Sequence, residues 1–140
     1  MNKKKGFIRW FREVGIRDVP LVGGKNAALG EMYGHLQAIG IEVPNGFAVT
    51  AAAYRYFLQA TGLKQRIFAI LQRLNTRNIR DLQRRGRAVR EAVLKANFPR
   101  DLEQSIREAY RELARTYGRS PDVAVRSSAT AEDLPDSSFA

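Results

Sequence analysis

Apolar positions recur along the chain in two rhythms. Phe7, Ile8, Trp10 and Phe11 stand among charged residues in near alternation, the signature of a short edge strand over 7–11 with Trp10 and Phe11 as packing residues. Gly15 to Pro20 reads as a turn. After Pro44-Asn-Gly46, a tight-turn sequence, Phe47-Ala-Val49 predicts a short buried strand at 46–49. Val123-Ala-Val125 runs straight into Arg126 before hydroxyls, acids and Pro135 take over, which predicts a third strand at 122–126 feeding a polar loop. Between these runs the spacing is helical. It predicts helices at 25–39, 51–61, 65–75, 78–96 and 99–117, and so a mixed α/β (α+β) arrangement of short strands against several helices.

Each helix has a predicted inner face. Leu29, Met32, Tyr33 and Leu36 share a stripe that leaves His35 to solvent. Thr50 is placed to cap a helix with Tyr54, Phe57 and Leu58 inward, ended by Thr61-Gly62. Ile67, Ile70, Leu71 and Leu74 form another face, as do Leu82, Val89 and Val93. Pro99 sits in the first turn of the last helix, with Leu102, Ile106, Ala109, Tyr110 and Leu113 inward.

Composition narrows the class. The 140 residues, 44% of them hydrophobic, suffice for one domain with a core. Absence of cysteine excludes disulfides and thiolate metal sites. No run approaches a membrane span, and Met1 to Gly6 has no apolar signal core, so a cytoplasmic protein is expected. The formal charge is +10, concentrated in residues 64–119, which carry fifteen Lys/Arg against six acids. Such a field attracts polyanions. The arginines are scattered around the helices and not interleaved with aromatics, which suits a solvated basic face better than a nucleic-acid site.

Two places carry candidate chemistry. Gly23-Gly24 allows positive φ and close backbone approach, and Lys25 follows at a helix N-terminus, where unpaired N–H groups and the dipole favour an anion. The run lacks the spacer and trailing hydroxyl of a Walker loop, and a plain glycine turn is its commoner meaning. Arg126 places a guanidinium at a predicted strand end, with Ser127, Ser128 and Thr130 beside it, a geometry suited to phosphate or carboxylate. The plainer alternative pairs Arg126 with Glu132 or Asp133, in a turn where Thr130 caps toward Asp133. With one histidine and no clustered carboxylates, no metal site is expected within these residues.

Val22-Gly-Gly-Lys-Asn-Ala-Ala-Leu-Gly-Glu-Met32, Val43-Pro-Asn-Gly-Phe-Ala-Val-Thr-Ala-Ala-Ala-Tyr54 and Val123-Ala-Val-Arg-Ser-Ser-Ala-Thr-Ala-Glu-Asp-Leu-Pro-Asp-Ser-Ser-Phe-Ala140, in this order and spacing, resemble the N-terminal nucleotide-binding domain of the phosphoenolpyruvate synthase (pyruvate, water dikinase) family, related to pyruvate phosphate dikinase and rifampicin phosphotransferase. The resemblance implies that residues 1–140 are the first part of an ATP-grasp domain, with 64–119 a basic helical section. It implies an enzyme that uses ATP and Mg2+ to phosphorylate a histidine on a separate domain and then pyruvate, working as a homodimer. Lys25 and Arg126 match the family's ATP phosphate contacts. His35 matches no catalytic histidine. The family's Gly-Gln-Gln loop, magnesium ligands, phosphohistidine and pyruvate barrel are expected beyond residue 140, so these residues alone are expected to be inactive. An antibiotic phosphotransferase and a basic nucleic-acid-binding module stand as alternatives.

Overall fold

The computed structural model describes residues 6–131. Ile8–Trp10 (β1) pairs antiparallel with Phe47–Val49 (β2), Ile8 opposite Val49 and Trp10 opposite Phe47. The two rings of that last pair meet edge to face at 5.6 Å, a favoured cross-strand contact. At the open end of the ladder Thr50 N–H donates to the Phe7 carbonyl, and the Thr50 hydroxyl donates to the Gly6 carbonyl at 2.8 Å.

Among the described residues a short helix that was not expected, α1 (Val19–Val22), precedes five in the predicted order: α2 (Gly24–Ala38), α3 (Ala51–Ala60), α4 (Leu63–Leu71), α5 (Ile79–Leu94) and α6 (Arg100–Tyr117). Their ends have local causes. The Thr50 hydroxyl accepts from Ala53 N–H at 3.2 Å and so caps α3, as expected. Gly62, at φ 69°, turns the chain from α3 into α4. α4 stops at Leu71, short of the predicted 75, because Arg73 takes a left-handed φ of 58° and the Arg85 guanidinium occupies the carbonyls of Ile70 and Gln72. The Asn78 side chain caps α5 by accepting from Asp81 N–H. The Gly15–Pro20 turn is more regular than expected. A 3-10 turn at Ile16–Asp18 runs directly into α1, with the Asp18 carboxylate accepting from Gly15 N–H.

Two buried clusters hold the helices. One joins Phe7, Ala53, Phe57, Leu63, Ala92 and Leu102, drawing in Tyr56, Ile67, Ile70 and Ile106. The other joins Val14, Val22, Ala27 and Ala48, with Phe11, Val19 and Leu21 against it. Burying the larger of these side chains contributes about 1.5–3 kcal/mol each.

Three expectations about inner faces are corrected. α2 buries Ala27 and Gly30, whereas Met32 is 45% exposed. The helix lies so close to residue 14 that a Cβ on Gly30 would stand 2.9 Å from the Val14 carbonyl carbon, so only small residues fit that face. On α3 the packed tyrosine is Tyr56, stacked on Phe7 at 5.0 Å and donating to Asp101, and Tyr54 is 57% exposed. Leu71, Leu82 and Tyr110, expected inward, are exposed. His35 faces solvent as expected, within 3.1 Å of the Glu31 carboxylate. That contact and a bond from Ile16 N–H, the larger effect, hold Glu31 below the ordinary carboxylate range.

The mixed α/β class stands, with one strand fewer than expected among the described residues. Residues 121–129 form no ladder, although Val123 and Val125 have the composition for one. A strand exists only beside a neighbour that accepts and donates its hydrogen bonds, and among the described residues neither edge of the β1–β2 pair is hydrogen-bonded to 121–129. Val125 is 93% exposed. The expected pairing of Arg126 with Glu132 or Asp133, and the Thr130 cap to Asp133, lie outside the described residues.

Candidate functional site

The two predicted anion-binding stretches come together at their backbones. Gly23, at φ 81° and ψ 161°, joins α1 to α2 in a conformation open essentially to glycine alone. Segment 128–129 lies against it. The Ser128 hydroxyl donates to the Val22 carbonyl at 3.1 Å, and Gly24 N–H donates to the Ala129 carbonyl at 3.4 Å. A Cβ on Gly23 would stand 3.0 Å from both the nitrogen and the oxygen of Ala129 and would overlap the Ser128 hydroxyl. Lys25 and Arg126 are thereby rooted on either side of one contact.

Their side chains differ in placement. Arg126 lines an open cleft of about 1460 Å³, together with Gly23, Asn26, Ser128 and Thr130. Lys25, in the first turn of α2, is exposed and is not among the cleft-lining residues. The expected strand-end footing of Arg126 is corrected accordingly. Its segment is held instead at two points: Ser128 on Val22 at one end, and at the other the Tyr110 hydroxyl donating to the Pro121 carbonyl at 3.2 Å. Ser128, read in the sequence as a ligand donor, spends its proton on that anchorage.

The lining also includes two tyrosines read in the sequence as core packing, Tyr54 and Tyr110, and one that was not read, Tyr117. The Tyr117 hydroxyl accepts from Asn45 N–H at 2.6 Å, tying α6 to the turn before β2. The i, i+7 spacing of Tyr110 and Tyr117 was the available signal, since it puts both on one face of α6. Arg107, Arg111 and Arg126 line the cleft against one carboxylate, Asp122. Arg107 is engaged by Glu103 at 2.8 Å. The cleft is therefore cationic, with an apolar and aromatic floor.

The fit to a nucleotide is favourable. α2 has no capping side chain and no acid in its first turn, so its positive end is not neutralised there, and the cradle at Gly23 is one that a Cβ would fill. Cleft volume exceeds the roughly 300–1,000 Å³ of ordinary small-molecule sites, leaving room for other groups beside a nucleotide.

Residues 19–140 match the family model described as pyruvate phosphate dikinase, AMP/ATP-binding domain. The chain belongs to that family. Among its relatives is the phosphoenolpyruvate synthase of Aquifex aeolicus, 51% identical over 141 residues that cover 100% of this chain and 16% of the relative. The phosphoenolpyruvate synthase of Synechocystis is 49% identical over 144 residues, 99% of this chain and 18% of the relative. That of Escherichia coli is 43% identical over 139 residues, 99% and 17%. The chain thus spans under a fifth of the length of these relatives. Among the described residues no helix is long and apolar enough to cross a membrane, and no group of three or more His, Cys, Asp or Glu could hold a metal ion.

Proposed function

We propose that this chain supplies part of the ATP site of a phosphoenolpyruvate synthase, with Lys25 and Arg126 contacting the phosphates. The observation that carries the reading is the docking of the Gly23-Gly24 turn against Ser128-Ala129, which roots the two cations on either side of one backbone contact, with Arg126 lining the cationic cleft. Two fixed cations offset the repulsion between a polyphosphate and its nucleophile and stabilise charge in a loose phosphoryl-transfer transition state. Backbone N–H groups at the start of α2 add fixed dipoles beside them.

In the reaction we assign to the full-length enzyme, ATP, pyruvate and water give phosphoenolpyruvate, AMP and phosphate through a phosphohistidine on another domain. The ATP-grasp architecture, the homodimer and a cytoplasmic location belong to the same proposal. Magnesium, when bound, would supply further positive charge against the phosphates, held by residues outside 1–140. Relatives named phosphoenolpyruvate synthase favour pyruvate over an antibiotic as acceptor.

The test is ATP affinity of the full-length protein carrying Lys25→Ala or Arg126→Ala. Loss of a charge-assisted phosphate contact costs about 1.5–3 kcal/mol, so affinity should fall roughly tenfold to a hundredfold. Unchanged affinity in both variants would overturn the assignment.

A further inference from the structure

No residue of α5 lines the cleft, and one edge of its apolar stripe is left open. Ile79 is 69% exposed and Leu82 45%, and both stand on the same side as Gly86 by the helical repeat. At Gly86 the tip of Arg90, at 3.4 Å, is the one atom group within 4 Å of where a Cβ would be. Glycine inside a helix costs about 1 kcal/mol relative to alanine, and among the described residues neither positive φ nor crowding calls for it here. The cost has a use if a second backbone packs closely over that notch.

Charge defines what could approach. Residues 72–91 carry two acids, Asp81 and Glu91, against seven arginines, and Asp81 is engaged by Arg84 and Arg85. Among the described residues no carboxylate lies within ion-pair distance of Arg80, Arg87 or Arg90. Two exposed aliphatic residues and a glycine notch are therefore flanked by uncompensated guanidiniums. Such a face complements a helix with aliphatic residues on one side and carboxylates along its border. Duplex nucleic acid would leave Ile79 and Leu82 without partners, and the face has no aromatic side chain to stack on bases.

We infer that the Ile79–Leu82–Gly86 face of α5 is a docking site for an acidic amphipathic helix of a protein partner, with Arg87 and Arg90 meeting its carboxylates. The site is independent of the nucleotide reading.

A synthetic 18-residue Glu/Leu amphipathic helix is a suitable probe, titrated into the protein by fluorescence anisotropy at 0.05 and 0.15 M salt. Binding should weaken as salt rises, and hydrogen exchange should slow in α5. Arg87→Glu with Arg90→Glu should reduce affinity at least tenfold. Gly86→Leu should do the same by filling the notch, while leaving the melting temperature equal to or above that of the parent, because leucine is the better helix former. Absence of binding, binding that neither variant weakens, or tighter binding of duplex DNA or phosphatidylserine vesicles at the same salt would each overturn the inference.

Discussion

Replacing Gly23 by alanine tests the junction on which both the fold and the candidate site depend. Gly23 stands at φ 81° and ψ 161°, a region that costs a residue with a Cβ about 1–3 kcal/mol. Its new methyl would overlap the Ser128 hydroxyl and press on Ala129. Segment 128–129 must then retreat, giving up the Ser128–Val22 and Gly24–Ala129 hydrogen bonds, each worth about 0.5–1.5 kcal/mol net. The sum is about 2–6 kcal/mol. At about 3 °C per kcal/mol for a chain of this size, thermal unfolding by circular dichroism should fall by roughly 6–18 °C. The same helix supplies a control of opposite sign. Gly34 in α2 has nothing within 4 Å of the place a methyl would take, so Gly34→Ala should raise stability by up to about 1 kcal/mol. In the full-length protein Gly23→Ala should also weaken ATP binding at least tenfold, since retreat of 128–129 carries the root of Arg126 away from α2. A Gly23→Ala protein melting within 2 °C of the parent would refute the packing of 128–129 on the cradle, and one with reduced stability but full ATP affinity would refute its part in the nucleotide site.

Three further outcomes are expected. Thr50→Val keeps shape but removes the α3 cap and the bond to the Gly6 carbonyl; about 2 kcal/mol should be lost in urea unfolding, with Thr50→Ser restoring most of it. Asp81 is held at about 2, chiefly by its bond from Arg84 and further by Arg85. A lowered folded value stabilises the fold above the ordinary 3.8 and loses that contribution as pH falls through about 2, so the melting-temperature gap between parent and Asp81→Asn should close between pH 4 and pH 2. Gly30→Ala should destabilise by at least about 1 kcal/mol, because the Val14 backbone leaves no space for the methyl; an unchanged urea midpoint would contradict the close crossing.

The helices were legible because each carries its own evidence: a 3.6-residue rhythm, a cap at Thr50 or a break at Gly62. Their inner faces were less so. Reading stripes by the largest apolar residues favoured Met32 and Tyr54, yet the buried positions include Ala27, Gly30, Ala48, Ala53, Ala92 and Ala109. Where two backbones approach closely, the side chain between them must be small, and the bulky neighbours are left at the margins of the contact. Hydrophobic size in the sequence therefore marks a helix that will be packed, while small residues mark the line along which it is packed. Tyr56 shows the complementary case: its hydroxyl could enter the first core because Asp101, 45 positions away in the chain, accepts its proton. Nothing near Tyr56 in the sequence announces that partner.

The site divides along the same line between local and distant causes. Gly23-Gly24 was readable because the requirement for positive φ is local to the residue. Val123-Ala-Val125 was readable as capable of pairing, but a ladder is made by two segments, and among residues 6–131 the second is missing. The position of Arg126 then rests on anchors that the period-2 pattern does not encode: a serine hydroxyl spent on the Val22 carbonyl and a tyrosine from α6 on Pro121. Those anchors hold the segment without covering it, which leaves Val125 in solvent and the guanidinium on an open wall. The segment is thus fixed in place but not saturated in hydrogen bonds, a state in which an approaching chain or ligand can still pair with it. Of the two cations expected beside a glycine cradle, these residues bring Arg126 to the open cleft and leave Lys25 outside its lining, so the proposed phosphate contacts rest on side-chain positions that the backbone docking alone does not fix.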